Sequence, residues 1–316
     1  MDRNKTSLLI LLFFLIGQSL FISGCSPQTV ETPAPTSQAI EVIDGLGRTV
    51  HLPAPAERIV SLAPSNTEIL FAIGAGRQVV GRDDFSDYPA EAQVLPGVGG
   101  GFGDYNLEAI VELQPDLVLA AEINTPEQVK ALADLGITVY LLSNPTTLEE
   151  MYENLELVGR LAGKSAEATS LVESLKERVA AVDEKISQVE LKPKVFYELD
   201  ATDPAKPWTA GAGTFIDTLI ARAGGINITA DLSEQFAQFS VEELLVRDPE
   251  IILLGDAAYG VTPEAVAQRT GWKDLQAVKS NQVYPFDDNL VSRPGPRLVD
   301  GLEGLAKLFH PELFTE

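Results

Sequence analysis

The chain carries one pattern twice. NLEAIVELQPDLVLA runs from Asn106 to Ala120, and SVEELLVRDPEIILL runs from Ser240 to Leu254. In each copy a residue able to cap a helix (Asn106, Ser240) stands two positions before a glutamate (Glu108, Glu242). An apolar pair follows (Ile110 and Val111; Leu244 and Leu245), then a proline (Pro115, Pro249) and a four-residue apolar run. Proline disfavours the helical conformation for the residue before it, so each helix has to stop there. The runs LVLA and IILL are apolar at every position, as suits a parallel strand covered on both faces. Helix, turn and buried strand, repeated, predict two similar α/β halves.

A fainter echo agrees. SNTEILFAIGAG (Ser65 to Gly76) follows the strand-like IVSL, and TFIDTLIARAGG (Thr214 to Gly225) follows VFYEL and a loop; Ala72 and Gly76 match Ala221 and Gly225 at one constant offset. Each half is expected to open with strand, loop, helix and a glycine-ended stop. Further strands are predicted at Val79 to Gly81, Thr138 to Leu142 and Gln282 to Tyr284, with a helix at Pro126 to Leu135. Between the halves, SAEATSLVESLKERVAAVDEKISQV (Ser165 to Val189) places apolar residues every three or four positions with no Gly or Pro, which predicts one helix of about 37 Å. The predicted fold class is α/β: two similar lobes with mostly parallel sheets, residues 40–164 and 190–316, joined by one long α-helix over 165–189. Such a strut should keep the lobes nearly fixed around a shallow, preformed cleft.

The first 24 residues are set apart from the fold. Arg3 and Lys5 precede the apolar run LLILLFFLIG, and Ile22 to Cys25 reads ISGC, the pattern of an export signal. Cys25, the only cysteine, stands where a bacterial lipobox places the lipidated first residue of the mature chain, so residues 1–24 are expected to be removed and Cys25 to carry the lipid. Residues 25–39, rich in Pro, Thr, Ser and Gln, read as a flexible tether. The expected location is the outer face of the cytoplasmic membrane. A lone cysteine leaves no disulfide within the chain, so stability must come from packing. The 45% hydrophobic and 22% charged composition suits proper cores, and the formal charge of -23, with no Lys/Arg run, argues against a nucleic-acid partner.

Catalytic and metal chemistry find little to work with. His51 and His310 lie near opposite ends of the mature chain, which argues against a His-built metal site. A haem would have to use a tyrosine such as Tyr88, Tyr105 or Tyr259. There is no GxSxG, GxxxxGK[ST] or HExxH, and GVGGGFG at Gly97 to Gly103 does not meet GxGxxG. No catalytic role and no bound cofactor are expected.

The segments ERIVSLAPSNTEILFAIGAG, DDFSDYP, KPWTAGAGTFIDTLIARAGG, FSVEELL and SRPGPRLVDGLEGLAKLFHPE, in this order with the NLE segment ending in PDLVLA, span nearly the whole mature chain. Together they resemble the substrate-binding lipoproteins of ABC importers for cobalamin and iron-siderophore complexes, and the cobalamin binders most. The resemblance implies a monomeric receptor that hands a corrinoid to a permease and its ATPase subunits. It implies ligand contacts at Phe85, Tyr88, Phe102, Trp208 and Phe236, flat faces that suit a large, partly apolar macrocycle. It also implies that Glu108 and Glu242, one per lobe, form salt bridges with permease arginines, although a carboxylate in the first turn of a helix is favourable in its own right. Some cobalamin binders have a further tryptophan where this chain has Ala121. Arg293 could instead serve an anionic ferric chelate or shape the turn before the last helix. Ferric siderophore or haem as ligand, an extracytoplasmic enzyme, and a ligand sensor remain the alternatives.

Overall fold

Both apolar runs of the repeat are inner strands of parallel sheets. The computed structural model describes residues 39–101 and 104–315, so the export signal, Cys25, most of the tether and Phe102 lie outside the described residues. An antiparallel pair comes first, β1 (Ile40–Ile43) with β2 (Thr49–Leu52), its turn closed by Arg48 on the Asp44 carboxylate. Then follow β3 (Ile59–Ser61), α1 (Pro64–Ala72), β4 (Val79–Arg82), α2 (Leu107–Glu112), β5 (Leu117–Ala121), α3 (Pro126–Asp134) and β6 (Val139–Leu142). Two helices, α4 (Leu148–Leu161) and α5 (Ser165–Ile186), lead to the second half. It contains β7 (Lys194–Glu198), β8 (Trp208–Ala210), α6 (Phe215–Arg222), β9 (Ile226–Asn227), β10 (Phe236–Gln238), α7 (Val241–Arg247), β11 (Ile251–Leu254), α8 (Pro263–Ala267), α9 (Gln276–Lys279), β12 (Val283–Pro285), α10 (Asn289–Ser292) and α11 (Leu298–Phe309).

The sheet orders are β4-β3-β5-β6 and β9-β7-β11-β12, every pairing parallel. The two sheets therefore have one topology, and the sequence repeat is a repeat of fold. Asn106 and Ser240 cap α2 and α7 by accepting from Ala109 N–H (3.0 Å) and Glu243 N–H (3.2 Å). The stop before each proline is sharper than expected: Gln114 and Asp248 take left-handed backbone, φ 49° and 42°, rather than the extended form usual before proline. The glycine stops also differ in detail. The left-handed residues after α1 and α6 are Gly74 and Gly224, whereas Gly76 and Gly225 are held by close packing against Phe71 and Phe309.

Every residue of β5 and β11 is buried, and successive side chains enter cores on opposite faces. Leu117 and Leu119 of β5, and Ile251 and Leu253 of β11, enter one core; Val118 and Ala120, and Ile252 and Leu254, enter two separate outer cores. The first core is continuous from one sheet to the other and includes α4, α5 and α11. Helix α5 is one uninterrupted rod of 22 residues, about 33 Å, slightly shorter than expected because it ends at Ile186. Its buried positions Ala168, Val172, Leu175, Val179 and Val182 form a single stripe. The strut is thus part of the interior shared by both sheets. Arg178 on α5 adds ion pairs to Asp300 and Glu303 of α11, each at 2.6 Å, although their partial exposure makes each worth only about 0–1 kcal/mol.

Candidate functional site

In parallel sheets the strands end where helices begin, and a ligand cleft opens along that carboxyl edge. Here the segments leaving β3, β5 and β6 supply Ala63, Pro64, Ser65, Ala121, Ile123 and Asn144, and the segment after α10 faces them with Ser292, Arg293 and Pro294 around a hollow of about 240 Å³. A second hollow, about 250 Å³, shares Asn144, Ser292 and Pro294 and reaches Thr214 and Phe215 at the start of α6, and Phe236 on β10. The two are adjoining parts of one cleft floor between the sheets. Ala121, the position of the missing tryptophan, lies on that floor and leaves it open.

The structure brings some of the expected aromatics together. Strands β8 and β10 pair antiparallel, Phe236 opposite Ala210 and Gln238 opposite Trp208. Alternation along the strands therefore places Trp208 and Phe236 on the same face as diagonal neighbours. They are 43% and 49% exposed, and Phe236 lines the cleft. From the other half, Phe85 is 40% exposed and packs on Gly101, whose left-handed backbone (φ 68°) brings the glycine so close that any side chain there would meet the ring. Tyr88 is elsewhere. Its ring stacks on the Arg297 guanidinium (4.0 Å) and lines a flank hollow of about 720 Å³ bounded by α1, α5 and the start of α11, which shares no lining residue with the cleft. Four of that larger hollow's charged residues pair with each other, Glu68 with Arg297 and Arg178 with Asp300.

Arg293 is likewise occupied. It reaches across from the second half to Glu68 (3.0 Å) and Asp87 (2.7 Å), while Arg297 grips the same Glu68 carboxylate with two bonds, 2.8 and 2.6 Å. Glu68 lies on α1 with its side chain 1% exposed, so a buried acid of one half is clasped by two arginines of the other. The sequence pointed to SRPGPR as a turn; the partner is a buried acid of α1 more than 200 residues earlier, which no local pattern marks. A second missed group is the carboxyl pair Glu198 and Asp256 with Arg269, at the ends of β7 and β11.

Glu108 and Glu242 are both exposed, each the second residue of its helix, and neither carries an ion pair among the described residues. Short connections from α2 to β5 and from α7 to β11 run each helix against its strand, which puts both glutamates toward the edge where the cleft opens. The tyrosines weighed for haem differ sharply. Tyr105 donates to Leu62 O (2.9 Å) and accepts from Asn124 (2.7 Å), whereas Tyr259 is 90% exposed just beyond β11.

This two-sheet architecture has relatives. The model of a family described as periplasmic binding protein matches residues 59–290. The chain belongs to this family. An uncharacterised ABC transporter substrate-binding lipoprotein of Bacillus subtilis is 31% identical over 310 residues, covering 96% of this chain and 97% of its own. Among solved structures, the periplasmic vitamin B12 binding protein of Vibrio cholerae superposes with a TM-score of 0.69 at 29% identity, covering 83% of this chain and 99% of its own. A periplasmic heme-binding protein of Roseiflexus, in apo form, gives a TM-score of 0.73 at 28% identity, covering 82% and 99%. The family is one of transport binding proteins rather than enzymes. Among the described residues no cluster of His, Cys, Asp or Glu could hold a metal ion, and no helix is long and apolar enough to cross a membrane.

Proposed function

We propose that this chain is the lipid-anchored, extracytoplasmic receptor of an ABC importer and captures cobalamin or a related corrinoid in the cleft between its halves. The observation that carries this reading is the exposed pair Trp208 and Phe236, diagonal neighbours on one face of β8 and β10, with Phe236 lining the cleft. A macrocycle too broad to sink into hollows of about 240–250 Å³ lies across the mouth, its apolar surface against these rings and Phe85. The solved vitamin B12 binding protein supports the choice of ligand, and the B. subtilis lipoprotein supports the anchor. Arg293, committed to Glu68 and Asp87, is a poor receiver for an anionic chelate. Haem is the second reading, favoured by the exposed Tyr259 phenol as an iron ligand and by the solved heme binder.

Titration of the purified protein with cyanocobalamin, cobinamide, haem and ferric siderophores, followed by tryptophan emission and calorimetry, separates these readings. Corrinoid binding is expected, and Trp208→Ala should weaken it by about 10- to 100-fold, the loss of one anchoring aromatic of about 1.4–3 kcal/mol. Silence with every corrinoid overturns the assignment. Mass spectrometry of the mature protein should find lipid on Cys25, and Cys25→Ser should release the protein from the membrane; unmodified Cys25 on membrane-bound mature protein removes the anchor.

A further inference from the structure

Beneath the loop that carries Trp208 lies a buried pair of carboxyl groups. Glu198, the last residue of β7, is fully buried, and Asp256, just beyond β11, is 5% exposed. Leu254 pairs with Glu198 across β11 and β7, and Gly255 leaves no space for a side chain against Tyr197 and the Glu198 carbonyl, so the two strand ends close tightly and bring two buried carboxyl groups to one place. Among the described residues one cation faces them: Arg269 binds both Glu198 oxygens, at 2.5 and 2.9 Å. Tyr197, whose hydroxyl donates to Asp288, and Asp287 are the other titratable groups on this side. Two carboxylates against one guanidinium leave an uncompensated charge out of water. A hydrogen bond between two carboxyl groups also requires a proton on one of them. The buried Asp256 Oδ1, which no N–H or hydroxyl donor reaches among the described residues, fits this need.

The pair is wired to the loop above it. Asp256 Oδ2 accepts from Ala201 N–H (3.2 Å). Arg269 stacks on Trp272 (4.6 Å), whose indole N–H donates to Pro204 O (3.0 Å), and Trp208 N–H donates to Asp200 O (2.7 Å). We propose that a single proton shared by Glu198 and Asp256 holds the loop 199–208, and with it Trp208, in position. Its bearing on ligand rests on the reading of Trp208 given above. Burial pushes the Glu198 acid up from 4.5 to about 7, against the pull of Arg269, and raises Asp256 as well. Because the folded chain holds this proton more tightly than the unfolded one, the contribution of Glu198 is complete below about pH 4.5 and is lost as the pH rises to about 7.

Amide hydrogen exchange across 199–208, without ligand and corrected for intrinsic rates, tests the proposal between about pH 5.5 and about pH 8.5. Protection of wild-type protein is expected to fall by about tenfold as the pH rises to about 7 and to stay level above it, and in Glu198→Gln, whose amide donates to Asp256 without titrating, it should be level throughout. Constant wild-type protection, or the same step persisting in Glu198→Gln, overturns it. Asp256→Asn, which removes the second acid, serves the same comparison if Glu198→Gln does not fold. Cyanocobalamin affinity measured at both ends of the range tests the other reading separately: a step in exchange with unchanged affinity retains the positioning role and removes Trp208 from the ligand contact.

Discussion

Replacing Glu108 and Glu242 together by alanine is expected to abolish ligand uptake by cells that depend on this receptor, while the purified double variant binds ligand as tightly as wild type. Each carboxylate gains about 0.3–1 kcal/mol from its helix terminus, too little for its loss to unfold the protein. Neither glutamate lines the cleft hollows or holds an ion pair among the described residues. What they share is position: equivalent places on two halves of one topology, exposed, and at a separation that a common interior keeps constant. Two fixed, solvated acids suit a permease surface offering two arginines at matching distance, and charge pairs of this kind act through docking rate and register. Single variants should transport at an intermediate rate. A double variant that transports normally removes the docking role and leaves both residues as helix-dipole partners.

The second large effect is expected at Glu68. Alanine there strands Arg293 and Arg297, whose side chains are 16% and 12% exposed, without their buried acid. Removing one member of a buried charge cluster costs about 3–5 kcal/mol, which in a chain of this size lowers Tm by on the order of 10 °C. Glu68→Gln keeps hydrogen bonds to the arginines and should fall between the two. Scanning calorimetry reads both. A Glu68→Ala variant that melts with wild type would show that the clasp contributes nothing to stability. Because α1 begins at Pro64, on the cleft floor, the same variant should also weaken ligand binding by letting that floor shift.

Local patterns made the frame legible. Both parallel strand runs, both capped helices and the long rod could be read because each depends on residues adjacent in sequence: a cap two positions before a glutamate, a proline, an apolar period. The aromatic pair was legible only in part. Trp208 and Phe236 stand out as loop aromatics, yet their adjacency comes from pairing β8 with β10, 28 residues apart, and the stacking of Tyr88 on Arg297 joins residues still further apart. The clasp at Glu68 and the pair Glu198 with Asp256 were not legible, since a buried charge is identified by its partner and the partners lie far along the chain. Resemblance supplied the docking expectation for Glu108 and Glu242, which physical reading alone would have left as helix-terminus charges.

The interior that runs unbroken from one sheet through α5 to the other has a consequence for what kind of object this molecule is. Duplicated architecture usually suggests modules that can be cut apart and handled singly. Here a cut on either side of the rod would bare part of its apolar stripe of Val172, Leu175 and Val179, which packs in the core it shares with α4 and α11. Despite its internal symmetry, the protein is therefore expected to melt as one body.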